Sequence, residues 1–326
     1  MLAFIQYFRA LSLRRRDHNL TLVYDSFEQL SDNPFTHQLF ASLKENFNLR
    51  LLQTQELLKR SVRVEDGQVV LIMSRLRNWH SLPGRSAEFF HRSKVFFYDQ
   101  DPWEGYHDNA TCRGVYEDIF EKVDPEAFLV TSPWWADYIR RQSGLPVHFV
   151  RMGILPKYCD QGISFGERAH KVGFQGTVHS HRMAFYDRVR EQGIDVDILP
   201  KKPFFTFLRE VQNIGVFIYG DQSALEMHGV PHPMHGLWGK CLTVAGRGCF
   251  VIRNYDLAHD GYAIDELPTV QTFKSEDEIP GLIRSILNRS DAENDRMIAK
   301  TISILRERND WQSVAAFLRE PSVQSQ

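Results

Sequence analysis

Two stretches of this chain hold residue types that can do chemistry together. The first is Tyr98-Asp99-Gln100-Asp101-Pro102-Trp103-Glu104-Gly105-Tyr106-His107, with three carboxylates, a histidine and three aromatic side chains in ten residues. A carboxylate or imidazole poised in a cleft can take the proton of an attacking hydroxyl, an effect of about 10²–10⁴-fold on rate. Asp99 and Asp101 are the first candidates for that base, followed by Glu104 and His107. Trp103 and Tyr106 supply flat faces against which a sugar ring can stack. The competing reading is a solvated acidic loop turned by Pro102. Its aromatic content, and its place directly after the apolar run KVFFY, favour the functional one.

The second stretch is His232–Asp256, HPMHGLWGKCLTVAGRGCFVIRNYD. It predicts a loop, a short helix over Trp238–Ala245, a break at Gly246-Arg247-Gly248 and a strand over Cys249–Arg253. The first N–H groups of a helix lack intrahelical partners and carry partial positive charge, which suits an anion. Gly236 and Gly239 are expected to let the backbone come close to a phosphate, and Lys240 to add a full charge. His235 is assigned a hydrogen bond to phosphate or sugar. With His228 and His232 it forms no short metal-ligand motif, so no metal is expected. Upstream, VGFQGTVHSHR (Val172–Arg182) offers a second anion loop, with backbone groups of Gly176 and Thr177 and the side chain of Arg182. Thr131-Ser132-Pro133-Trp134-Trp135 also follows a strand. Adjacent helix positions diverge by about 100°, so one tryptophan faces the core and Trp134 is taken as a ligand contact. The loop Asp25–Asn33 can reach the same cleft, with Asp32 a weaker alternative base.

Elements that position these residues follow from apolar runs separated by helix-length segments. Strands are predicted at Asn19–Tyr24, Leu49–Leu52, Val69–Met73, Lys94–Tyr98, Ala127–Thr131 and Val147–Arg151. Helices are predicted between them, including Phe35–Asn46, Ser86–Arg92 and Pro133–Gln142. After the Pro/Gly-containing linker Ile154–Arg168, strands recur at Val172–Gly176, Val196–Leu199, Val216–Tyr219, Cys249–Arg253 and Val270–Phe273. Such alternation indicates an α/β chain with parallel sheets covered on both faces. Two Rossmann-like domains are expected, 1–153 and 154–309, facing a central cleft at their strands' carboxyl ends. Residues 310–326 are expected to form a helix that crosses back to the first domain, then a tail.

On these segments the chain resembles a glycosyltransferase of the GT-B fold, of the group 1 and CgeB-like kind. HGLWGKCLTVAGRGCFVI resembles their donor-binding loop, helix and strand, VGFQGTVHSHR their phosphate loop, and YAIDELPTVQTFKSEDEIPGLIRSIL their closing segment. The resemblance implies a nucleotide-sugar donor held by the second domain and a sugar, glycan or lipid-linked acceptor held by the first. It implies no cofactor beyond the donor co-substrate. One departure stands out: the position of a glutamate that often holds the donor ribose in retaining members is Thr243. Glu266, or its neighbour Asp265, is the substitute candidate. The missing glutamate tilts the expectation towards inversion, with a loop carboxylate as base.

Composition narrows the alternatives. A formal net charge of −2 gives no reason to expect nucleic acid as a partner. Four scattered cysteines read as reduced thiols of a cytoplasmic protein. Residues 1–16, apolar and then basic, either pack as an N-terminal helix or make a peripheral membrane contact. A dinucleotide oxidoreductase is disfavoured because no strand is followed by G-x-G-x-x-G. A catalytically silent two-domain sugar- or nucleotide-binding protein is the remaining alternative.

Overall fold

The computed structural model describes residues 18–57, 67–74, 78, 90, 92–220, 224–233, 238–254 and 264–319. The first half is a sheet of β1 (Asn19–Tyr24), β2 (Asn48–Gln53), β3 (Val69–Ile72), β4 (Lys94–Asp99), β5 (Ala127–Val130) and β6 (Val147–Phe149). Their order is β2-β1-β3-β4-β5-β6, and every pairing is parallel. Alternate side chains go to opposite faces. Leu22, Phe96 and Leu129 therefore enter one core cluster, while Val23, Phe97 and Phe128 enter the other. Burial on both faces is why these strands read as unbroken apolar runs.

The segment read as the loop Asp25–Pro34 folds into a short helix, α1 (Phe27–Asp32), followed at once by α2 (Pro34–Asn46). FEQLSD is too short to show helical periodicity, and its caps settle the matter. Ser26 Oγ accepts from Gln29 N at 3.2 Å, and Asn33 Oδ1 accepts from Phe35 N and Thr36 N at 3.0 and 3.2 Å. Pro34 opens α2, where no backbone N–H is required. Helices α3 (Val115–Val123) and α4 (Pro133–Ser143) follow β4 and β5. The helix expected at Ser86–Arg92 falls largely outside the described residues.

The second half is another parallel sheet: β7 (His170–Gly176), β8 (Asp197–Pro200), β9 (Ile214–Tyr219), β12 (Phe250–Asn254) and β13 (Val270–Phe273), in the order β13-β12-β9-β7-β8. Its helices are α5 (Ser180–Glu191), α6 (Phe204–Glu210), α7 (Trp238–Gly246), α8 (Ile279–Leu287) and α9 (Asp291–Arg308). Between β9 and α7 lies an antiparallel hairpin, β10 (Ala224–Met227) and β11 (Val230–Pro233), where the sequence suggested only a loop. Its turn residues His228 and Gly229 both have positive φ, 53° and 72°. That backbone twist matches antiparallel strands.

The halves share one continuous core. Gln38 on α2 donates to Thr243 Oγ1 on α7 at 3.3 Å and accepts from Leu155 N of the connecting segment at 2.8 Å. Gly239 and Gly246, one on each end of α7, let that helix lie close. A Cβ at Gly239 would stand 2.6 Å from the Phe35 ring, and one at Gly246 would stand 2.7 Å from Ile154 Cδ1. Gly239→Ala is therefore expected to destabilise the protein by about 1–3 kcal/mol through overpacking. Phe35→Ala in the same chain should recover part of that loss. Urea denaturation of the two single variants and the double variant measures the coupling. Finally α10 (Trp311–Arg319) returns to the first sheet. Trp311 Nε1 donates to Gly153 O at 2.8 Å, Ser42 Oγ donates to Trp311 O at 3.1 Å, and Phe317 meets Phe96 edge-on at 6.0 Å.

Candidate functional site

Parallel pairing brings Asp25, Ser74 and Asp99 together at the carboxyl ends of β1, β3 and β4. A cavity there is walled by Gln29, Ser74, Tyr98, Asp99, Asp101 and Glu104. Asp99 is the most constrained group. Its carboxylate accepts from the Tyr116 hydroxyl and, at 2.8 Å, from Asp101 N. Burial pushes its pKa up to about 7, the Tyr116 hydrogen bond opposes that, and the charges of Asp101 and Glu104 add to it. A carboxyl poised near neutrality can hold or release a proton at working pH. Asp101 Oδ1 accepts from Trp103 Nε1 at 3.4 Å, which anchors the half-exposed Trp103 ring beside the cavity. His107 stands outside the lining, with Nδ1 accepting from Asn109 N at 2.9 Å.

Two aromatic assignments separate here. Tyr106 does not offer a face to a ligand: it is 8% exposed, stacked between Tyr116 and Trp135 at 5.7 and 5.8 Å. Both rings pack on the same aromatic cluster, Tyr106 buried within it and Trp103, three residues earlier in the 3-10 turn Pro102–Gly105, half-exposed at its edge. On α4, Trp135 is fully buried and Trp134 is half-buried, lying flat on Tyr138 at 5.3 Å. That is the division expected of adjacent helical positions.

At the carboxyl rim of the second sheet, Gly176 ends β7 and Arg182 lies in the first turn of α5. Arg182 Nη1 donates to Thr177 O at 2.7 Å, and its guanidinium covers Phe174 and Tyr219 at 5.4 and 5.6 Å. Gly176, Thr177 and Arg182 thus form one unit. Gly239 and Lys240 both have partners within the fold. Gly239 serves the close packing on Phe35, and Lys240 turns to the main chain of its own sheet. Lys240 Nζ donates to Gln175 O at 2.7 Å and lies 4.2 Å from the centre of the Phe174 ring. Burial moves its pKa down to about 7, with the Arg182 charge adding to the shift. A Cβ at Gly176 would collide with the Lys240 ammonium, so this glycine is needed for the lysine's seat. Lys240 therefore braces the end of β7.

Glu266 lies apart from the two loops just described. It is exposed in the 3-10 turn Ile264–Glu266, which feeds the amino end of β13, whereas the anion loops lie at carboxyl ends. His235 and Gly236 lie outside the described residues. Sequence reasoning passed over Arg253. This arginine is 2% exposed near the carboxyl end of β12, level with Tyr219 in the neighbouring strand. The available signal was a charge closing an otherwise apolar strand. Among the described residues no group of three or more His, Cys, Asp or Glu side chains is placed to hold a metal ion.

The hairpin β10–β11 joins the two rims. Asp108, just past the acidic loop, accepts from Gly229 N at 2.9 Å and pairs with Arg113 at 2.9 Å. Met227 is buried in the first half's aromatic cluster, and Tyr138 Oη lies 3.5 Å from His228 Nε2.

No family model matches the sequence, and no curated protein matches it. Solved structures do. Sucrose-phosphate synthase from Thermosynechococcus elongatus superposes with a TM-score of 0.59 at 10% identity, over 94% of this chain and 98% of that one. A UDP-forming α,α-trehalose-phosphate synthase from Burkholderia xenovorans gives 0.57 at 10% identity, over 93% and 99%. A trehalose-6-phosphate synthase studied for glycosyl transfer with retention gives 0.55 at 10% identity, over 93% and 99%. At that identity the likeness is one of fold: the chain has the two-sheet GT-B architecture shared by these glycosyltransferases.

Proposed function

We propose that the protein is a glycosyltransferase that moves a sugar from a nucleotide-sugar donor to a hydroxyl of a sugar, glycan or lipid-linked acceptor. The observation that carries this reading is the pairing, within the GT-B fold, of a buried carboxyl of near-neutral pKa at one rim with a guanidinium-braced loop at the other. In this reading the first half holds the acceptor and Asp99 takes its hydroxyl proton. The acceptor oxygen forms a bond to the anomeric carbon as the bond to the donor diphosphate breaks, its electron pair passing to the phosphate oxygen. Backbone groups of Gly176 and Thr177 and the charges of Arg182 and Arg253 meet the developing negative charge. Trp103 and Trp134 flank the acceptor. Lys240 and Gly239 act indirectly, by fixing the end of β7 and the seat of α7. A single displacement of this kind inverts the anomeric configuration.

Thermal denaturation with UDP, GDP, ADP and dTDP is the first test. One of them is expected to raise the melting temperature, since ligand at about a hundredfold its Kd stabilises by about 2.7 kcal/mol. No shift with any of the four would sink the donor assignment. A nucleotide shift without transfer or donor hydrolysis would mark the chain as a binding protein. NMR of the product's anomeric centre tests the stereochemistry. Retention, as studied in one of the structural neighbours, would remove Asp99 from the base role. The reaction is proposed to run without a metal, so dialysis against EDTA should leave the rate unchanged.

No helix among the described residues is long and apolar enough to cross a membrane. The proposal places the enzyme in the cytoplasm, with residues 1–16, outside the described residues, as a contact to the membrane's inner face. Flotation with anionic vesicles that persists after deletion of residues 1–16 would refute that contact.

A further inference from the structure

A second concavity of about 690 Å³ lies at the outer edge of the first sheet, against β6, and shares no lining residue with the cavity around Asp99. Its volume is in the range of small-molecule sites. Three separate segments supply its polar wall: Arg140 from the end of α4, His148 and Arg151 from β6 and its exit, and Arg308 from the end of α9. Phe149 and Phe317 supply apolar surface, with the Phe317 ring 4.8 Å from that of His148.

Charge around this cavity is net positive: Arg140 pairs with Asp137 and Arg308 with Asp310, and Arg151 adds a third cation. Three arginines meet a single lining carboxylate, Asp310. Arg308 Nη2 lies 3.3 Å from Asp310 Oδ2, and both side chains are largely buried. Burial raises the Asp310 pKa while Arg308 and Arg151 work against the rise. Arg140 is fixed in direction by Val147 O and Asp137 Oδ1, both at 2.7 Å, yet its side chain is 50% exposed. Guanidinium groups held in set directions around an aromatic wall match a phosphate attached to a ring. The cavity also touches both chain crossings between the halves, at Val150–Arg151 and at Asn309–Asp310. A ligand seated there contacts the segments on which any change in the angle between the halves must turn.

We infer that this edge cavity is an effector site for a phosphorylated small molecule. The inference does not depend on the donor or acceptor assignments.

Isothermal titration calorimetry of the full chain with inorganic pyrophosphate, glucose 6-phosphate and AMP tests it. At least one probe should bind, and Arg151→Ala and Arg140→Ala should each weaken that binding by about tenfold or more, the loss expected for a charged hydrogen bond. Arg182→Ala, which alters only the other rim, should leave it unchanged. Preference for AMP identifies a nucleotide effector and preference for glucose 6-phosphate a sugar phosphate. Arg151→Lys, keeping the charge but not the guanidinium fork on a folded chain, should bind more tightly than Arg151→Ala and more weakly than the parent. Absence of binding by all three probes, or binding abolished by Arg182→Ala and untouched by Arg151→Ala, would overturn the inference.

Discussion

Asp99→Asn is expected to lower the rate of sugar transfer by about 10²–10⁴-fold, the usual contribution of a positioned general base. The nucleotide-induced thermal shift should stay as in the parent protein. The substitution keeps the shape of the side chain and one oxygen for Asp101 N, while its amide NH2 can only donate to the Tyr116 oxygen, as a protonated Asp99 does, so the side chain is held as a mimic of the protonated carboxyl. In the parent protein kcat/KM should fall as pH drops below about 7, because burial holds the Asp99 carboxyl near that value. The variant should lose that limb. Stability should move the other way. The folded state binds this proton more tightly than the unfolded chain, whose ordinary value is 3.8. Stability therefore declines as pH rises from about 4 to about 7, where the buried carboxyl must ionise. Asp99→Asn should thus be more stable than the parent at pH 8, and the difference should vanish near pH 3. Transfer at the parental rate by Asp99→Asn would shift the base to Asp101 or Glu104.

Trp311→Ala should destabilise the protein by about 3–5 kcal/mol, the range for deleting a buried aromatic side chain. Trp311 is fully buried, and its indole N–H is the donor that satisfies Gly153 O. Trp311→Phe keeps most of the apolar contact but leaves that carbonyl without its partner, a loss of about 1–3 kcal/mol. Urea denaturation followed by fluorescence and far-UV dichroism separates the two cases. The core runs through both halves without interruption. A single cooperative transition that shifts as a whole is therefore expected. Two transitions, with only one displaced, would show that the halves unfold independently.

Much of the architecture was legible because parallel strands buried on both faces advertise themselves. NLTLVY, KVFFY and VFIY need no partner to be recognised, and Asp99 stood out as a carboxyl closing such a strand. What escaped notice depends on residues far away in the chain. Nothing near Gly239 announces that Phe35 lies across from it, and nothing near Lys240 says that Phe174 and Gln175 O receive its ammonium. The sequence around that helix start points to an anion, and says nothing of the packing in which the same glycine and lysine also take part. Trp103 and Tyr106 look alike in sequence, and it is the distant rings of Tyr116 and Trp135 that bury one and leave the other at the cluster's edge. The hairpin stayed hidden because Pro231 and Pro233 interrupt a strand pattern. Arg253 carries no motif at all, and its interest comes only from the end of the sheet on which it lies.

The return of α10 to the first sheet has a consequence in time. Phe96 and Ser42 emerge early from the ribosome, yet the Phe317 ring and Trp311 carbonyl that complete their surroundings are made after the whole second half. Chains of this kind tend to fold unit by unit as they are synthesised. Here the first half must wait with an apolar face uncovered through the translation of roughly 150–170 further residues, or some ten to thirty seconds at 5–20 residues per second. Whatever lengthens that interval lengthens the exposure of an apolar face that invites aggregation.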